Sequence, residues 1–256
     1  MNLRMPGHLA ERFHGETQKT REVTETWCAE NLFCPACPSP KLMRLPGSTR
    51  VADLYCPKCS LRYELKAHRQ SLGSRIPDGQ YDTMMKMLRS NERPHFLLMH
   101  YEREIWEVVD LLLVPSFLVS PSAVHCRKPT WPKGRAQSWT GCDLLLDRIP
   151  KQGRIEVVTK RNPIGSTEVR RELSRVRALE KVDFQRRGWQ VETLRVVDNL
   201  GKAEFTNRDM YSHAEELKEI FPNNNNVDDK IRQQLQFLCK AGLLEHVAPG
   251  RWRRVG

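Results

Sequence analysis

The chain has 256 residues, 39% of them hydrophobic, enough for one sizeable core and a smaller second one, which excludes a disordered polymer. Its 42 Lys+Arg against 31 Asp+Glu leave a formal charge of +11; this favours a polyanionic partner, since neutralising phosphates releases counterions, with a merely basic soluble protein as the plain alternative. Residues 1–20 hold no apolar signal core and no stretch is long enough to span a membrane, so a cytosolic setting is expected, where eight cysteines suggest metal or free thiols before disulfides.

In chain order, the polar segment to about Thr26 is predicted to be helical, with Trp27 facing inward. Alternation predicts strands over residues 50–55 and 62–66, and residues 79–90 carry Tyr81, Met84, Met85 and Leu88 on one helical face. Residues 95–101 and 105–119 read as further strands, the second broken by Pro115. The basic, Pro- and Gly-containing stretch 127–141 reads as a loop, 154–160 as a strand, 167–184 as one long charged helix and 189–196 as a strand. Thr206, with Asp209 three residues on, caps a helix. The polar turn 223–226 leads into a helix over 227–240, and 243–247, 248–250 and 251–254 form strand, turn and strand. The expected architecture is an α/β (α+β) domain with a central mixed sheet, then a winged helix that starts between Val182 and Phe205, divided as 1–182 and 183–256.

Two C-x-x-C knuckles, Cys34/Cys37 and Cys56/Cys59, lie eighteen residues apart, a spacing that fits a tetrahedral four-cysteine zinc site. Four thiolates leave no open coordination position, so the Zn²⁺ is expected to be structural. Cys28, Cys126, Cys142 and Cys239 lack such spacing and are expected to be buried thiols.

Asp53 ends one predicted strand and Glu64-Leu65-Lys66 lies on the next, with ten residues between Asp53 and Glu64. Strand alternation points Glu64 and Lys66 to one face, and a hairpin-like return can bring Asp53 beside them. Two carboxylates suit Mg²⁺, and a lysine can orient or deprotonate an attacking water; an exposed ion pair would look the same in sequence. The arrangement resembles that of the PD-(D/E)XK nucleases. Cys56 and Cys59 fall inside the interval, where a zinc knuckle would brace the turn between the two strands.

On the predicted helix 227–240, Ile231, Leu235 and Leu238 share an apolar face. Asn225, Asn226, Asp229, Arg232, Gln233, Gln236 and Lys240 take the other, either as a solvated face or as one whose amides read adenine edges. Arg251, Arg253 and Arg254 sit on the wing, where phosphates would lie. A winged helix can also bind protein.

The chain resembles the DpnI-type methyl-directed restriction endonucleases over nearly its whole length. The likeness rests on Val51-Ala52-Asp53, both cysteine pairs, Tyr63-Glu64-Leu65-Lys66, Asp78-Gly79, Arg127-Lys128-Pro129, Trp139-Thr140-Gly141-Cys142, Arg187-Gly188-Trp189 and the run from Lys230 to Gln236. It implies hydrolysis of both strands of double-stranded DNA at G-A-T-C when the adenine is N6-methylated, in a prokaryote lacking that methylation. It implies catalysis by Asp53, Glu64 and Lys66, with Mg²⁺ on Asp53, Glu64 and the Leu65 carbonyl. DNA would be read by Trp139, matched to a tryptophan that touches the methylated adenines, and by the winged helix through Asn226, Arg232, Gln233, Gln236 and Arg251. A monomer in solution is expected. The segment 130–138 and the wing 248–252 depart from the family pattern, which bears on flanking-base preference. Two rivals stay open: a non-catalytic regulator that only binds DNA, and a nuclease for another modified sequence.

Overall fold

A computed structural model describes residues 1–47, 49, 51–90, 93–131 and 138–255. The predicted strand residue Arg50 and residues 132–137 of the predicted basic loop lie outside the described residues. The elements are α1 (Glu16–Asn31), β1 (Met43–Arg44), β2 (Leu54–Tyr55), β3 (Arg62–His68), β4 (Arg75–Gln80), α2 (Tyr81–Arg89), β5 (His95–Glu102), β6 (Glu107–Val114), β7 (Val124–Cys126), β8 (Gly141–Leu145), β9 (Ile155–Thr159), β10 (Asn162–Pro163), α3 (Ser166–Val176), α4 (Phe184–Asn199), β11 (Glu204–Thr206), α5 (Asn207–Tyr211), α6 (Ala214–Ile220), α7 (Val227–Lys240), β12 (Leu244–Ala248) and β13 (Arg251–Arg254).

The central sheet runs β1-β2-β3-β5-β6-β9-β10; β3 and β5 are parallel and every other neighbouring pair is antiparallel, so the sheet is mixed. Strand β5 is apolar on both sides because it is covered on both. Leu97 and Met99 join Trp27 of α1 and Val169 and Leu173 of α3, while Phe96 and Leu98 join Met84 and Leu88 of α2. A small antiparallel sheet, β4-β8-β7, packs with α2 on the second face. The C-terminal elements form a helical unit with its own sheet, β11-β13-β12. Thr206 caps α5 in a capping box with Asp209.

Several predicted elements change. The strand at 50–55 shrinks to Leu54–Tyr55, with Val51 in the left-handed region at φ 65°. The strand at 105–119 is β6 alone, and after Pro115 the chain makes a short 3-10 turn. The long helix predicted at 167–184 ends early: α3 stops at Val176, a 3-10 turn follows, and Asp183 caps the next helix, α4, by accepting from the Arg186 N–H at 3.0 Å. The strand at 189–196 lies inside α4. Every residue from Arg187 to Asp198 is buried, the charged Arg187, Glu192, Arg195 and Asp198 included, so the helix shows no one-sided stripe whose period would separate helix from strand. The helix at 79–90 starts at Tyr81, because Gly79 and Gln80 belong to β4, a strand that the sequence reading missed. Cys28 and Cys142 are buried as expected, but Cys239 is half-buried and Cys126 is exposed at the end of β7, which among the described residues pairs with β8 at the edge of the small sheet.

Candidate active site

The two knuckles converge. All four sulfurs of Cys34, Cys37, Cys56 and Cys59 lie within 4.8 Å of one another, with Cys34–Cys59 at 3.7 Å and Cys37–Cys56 at 3.5 Å. A tetrahedron with Zn–S bonds of ~2.3 Å sets its sulfurs roughly 3.8 Å apart, so the cluster is compatible with structural zinc. Backbone N–H groups of Ala36 and Lys58 point at the Cys34 and Cys56 sulfurs at 3.4 Å, as suits thiolates. The Tyr63 hydroxyl meets Cys34 Sγ at 3.3 Å, which joins the cluster to the start of β3.

One residue further along β3 begins a second cluster. Tyr63 and Leu65 face the α1 side, so alternation sends Glu64 and Lys66 to the α2 side, where their register partners Phe96 and Leu98 also point. The Lys66 ammonium lies 2.6 Å from Glu64 Oε1 and 2.6 Å from Asp78 Oδ1, with all three side chains largely buried. Asp53, just before β2, donates its N–H to the Tyr63 carbonyl and accepts from the Leu65 N–H at 2.9 Å through Oδ2. Its Oδ1 faces the Arg21 guanidinium of α1 at 3.6 Å.

Burial pushes the Glu64 carboxyl up to about 7; Lys66 pulls it back, and the charges of Asp78 and Asp53 add to the push. For Lys66 burial works against the ammonium, but Glu64 and Asp78 outweigh it and hold its pKa above the ordinary lysine range. The structure thus sets Asp53 on the β3 edge at Leu65, between Glu64 and Lys66 on the α2 face, two carboxylates and a cation, with Glu64 Oε2 free of hydrogen-bond partners among the described residues. Oxygen-rich and partly desolvated, such a set can take a hard divalent cation. The side of Asp53 facing α1 opens into a polar cleft of about 600 Å³ whose lining includes Arg21, His68, Arg69 and Thr20.

Sequence reasoning missed two neighbours of this cluster. Asp78 shows in sequence only as part of an Asp-Gly pair, and β4, with Pro77 and Gly79, has the wrong composition to read as a strand. Arg21 comes from a helix 32 residues before Asp53, and no local pattern links them.

Trp139 is half-buried at the edge of this region. It exchanges both backbone hydrogen bonds with Thr130, at 2.8 and 2.9 Å, and its ring lies over Gly141, where a Cβ would stand 2.6 Å from the indole. Only glycine admits that approach. The next carbonyl, Thr140, accepts from the Tyr81 N–H at 3.0 Å, so the Trp139 segment is tied to the end of β4. Trp131, one residue beyond Thr130 and not singled out from sequence, is 74% exposed.

On α7, Ile231, Leu235 and Leu238 are buried, and Asn226, Arg232, Gln233 and Gln236 are all exposed. Arg232 is ion-paired to Asp229, and Gln233 accepts from Lys230 at 2.7 Å. The wing arginines divide. Arg253 bridges Glu204 and Glu245 at 2.8 and 3.2 Å, and Arg254 meets buried Asp198 at 3.4 Å. Arg251 is exposed and has no ion-pair partner among the described residues. The sequence reading gave all three to phosphates; two are already committed within the protein.

Residues 1–182 match the Dam-replacing family, DpnI, and residues 185–254 match the Dam-replacing HTH domain of DpnI. Such membership supports a methyl-directed restriction enzyme, a nuclease whose C-terminal HTH unit binds DNA. Among the described residues no helix is long and apolar enough to cross a membrane. With matches running head to tail along a mixed α/β body, its four-cysteine cluster and its C-terminal helical unit, the chain belongs to the DpnI, or Dam-replacing, family.

Proposed function

We propose that this protein is a Mg²⁺-dependent type II endonuclease that hydrolyses double-stranded DNA at G-A-T-C sites whose adenine is N6-methylated. The observation that carries this reading is the meeting of Asp53, Glu64 and Lys66 around Leu65 in a chain of this family. The two carboxylates and the Leu65 carbonyl are the ligands for Mg²⁺; a strand residue turns its N–H and C=O to the same edge, and the Leu65 N–H is already on Asp53. Mg²⁺ there supplies charge against the phosphate and acidifies water. Lys66 has three N–H donors, so it can hold the attacking water while still bonded to a carboxylate. The four-cysteine cluster carries a structural Zn²⁺ that braces the turn between Asp53 and Glu64.

Residues 1–182 form the cutting unit and 183–256 the winged-helix reader. Trp139 offers an aromatic surface to the methyl groups of adenine. Asn226, Arg232, Gln233 and Gln236 face base edges, and Arg251, the wing arginine without an acid partner, takes a phosphate. The protein acts as a monomer in the cytoplasm of a prokaryote whose own G-A-T-C sites are unmethylated.

Plasmid cleavage with Mg²⁺ tests the reading, using one plasmid prepared with and without adenine methylation. The expected result is cutting of the methylated plasmid alone, lost in Asp53→Ala. A folded protein that binds both plasmids and cuts neither would put a non-catalytic regulator in its place. Cutting of a differently modified plasmid would replace the substrate.

A further inference from the structure

Asp78 is a buried carboxylate that the proposed chemistry does not use. Its side chain is 5% exposed, and Oδ1 accepts from both the Gly79 N–H, at 2.5 Å, and Lys66 Nζ, at 2.6 Å. A carboxylate so buried is tolerable only with a charged partner, and Lys66 is its one ion pair among the described residues. Its aim is built into the backbone. Strand β4 pairs antiparallel with β8, and the register slips between Asp78 and Gln80, leaving Gly79 as the extra residue. A bulge of this kind re-aims a side chain beside a site.

The chemical consequence lies in what Lys66 shares. Its ammonium touches Glu64 and Asp78 equally closely, so Glu64 is asked to serve both the ammonium and any cation that binds at Asp53. Resting on the reading of Glu64 as a metal ligand, we propose that Asp78 is a positioning residue that draws Lys66 off Glu64. When a divalent cation takes the Glu64 oxygens, Lys66 stays anchored on Asp78 and turns its remaining N–H donors toward the water. Without Asp78, the ammonium and the cation compete for one carboxylate.

The test is a double-mutant cycle read by Mn²⁺ binding to the full-length protein, followed by electron paramagnetic resonance or calorimetry, with no cleavage needed. Asp78→Asn retains an acceptor for the Gly79 N–H, and Asp78→Ser serves if Asn does not fold; thermal melting checks both. The expected result is a roughly tenfold loss of Mn²⁺ affinity in Asp78→Asn, shrinking to threefold or less when the same change is made in Lys66→Ala. A tenfold loss persisting in the Lys66→Ala background would make Asp78 a metal ligand and overturn the proposal. Unchanged affinity in Asp78→Asn would reduce Asp78 to a structural ion pair and also overturn it. Failure of the wild-type protein to bind Mn²⁺ at all would remove the metal reading itself, and this inference with it.

Discussion

The carboxylate–lysine cluster and the face of α7 are both polar, yet they are built in opposite ways. Asp53, Glu64, Lys66 and Asp78 come from three neighbouring segments and are held by short, largely buried contacts, so their geometry exists before any substrate arrives. Asn226, Arg232, Gln233 and Gln236 come from one helix and its lead-in turn and stand in solvent. On the proposed reading the contrast has a reason: a group that acts on a bond must be fixed in advance, and a group that reads a partner must be available to it. Substitutions in the two regions should therefore fail differently.

The largest effect is expected at the support of the buried region. Cys56→Ser should unfold the N-terminal unit, since structural zinc contributes ~10–16 kcal/mol, comparable to the whole stability of a domain. Zinc content and a melting curve check this, and a wild-type melt without zinc would end the structural-zinc assignment. Next comes Lys66→Ala, which should cut single-turnover cleavage roughly 10²–10⁴-fold while the Kd for methylated duplex holds. Lost binding would move Lys66 from chemistry to recognition.

The third involves His95, buried at the start of β5 between Tyr63 and Phe117 with ring centroids at 5.9 and 5.7 Å. Burial, with Arg93 and Arg177 nearby, holds its pKa down at about 4. A histidine kept neutral in the fold binds its proton more readily when unfolded. Its contribution is therefore complete above pH 6.5 and is lost as pH falls from there through 4, about 3 kcal/mol in all. In denaturant titrations across that window His95→Gln should lose less stability than the wild type; an equal loss would place the acid sensitivity elsewhere.

Smaller effects belong to the reading side. Trp139→Ala should lower preference for methylated over unmethylated sites by ~1–3 kcal/mol, as for an aromatic face lost from a base. Unaltered preference would leave Trp139 as packing over Gly141. Arg251→Ala should reduce the salt dependence of DNA binding by about one unit of slope, and Arg253→Ala, already held by Glu204 and Glu245, by none. Equal slopes would erase the distinction between free and committed arginines.

These contrasts also explain what could be read from sequence. The four-cysteine cluster was legible because metal ligands recur at fixed spacings, and Glu64–Lys66 because strand alternation is strict. The apolar face of α7 was legible because a half-buried helix has a stripe. Asp78 was not, because its strand contains Pro77 and Gly79 and is made by pairing with the distant β8, where Asp78 itself stands opposite Cys142. Helix α4 was misread because burial on every side erases the stripe. Glu204 and Asp198 were missed as partners of the wing arginines for the same reason as Arg21, being distant in the chain; Glu245, eight residues before Arg253 on the same hairpin, is the exception.

Helix α4 also acts as a fixed gauge. Near its middle Glu192 accepts from Ser120 and Ser122 of the N-terminal body and pairs with Arg195, which reaches Glu216 of α6. At its end Asp198 accepts from the Lys151 N–H at 2.7 Å and meets Arg254 of the wing. The helix is thus bolted to both sides, and the offset between α7 and the Asp53 edge is set by packed side chains rather than by a slack tether. If, as proposed, one duplex engaged both surfaces, any mismatch with this fixed offset would fall on the DNA, and the cost of deforming the flanking sequence would become part of what is selected.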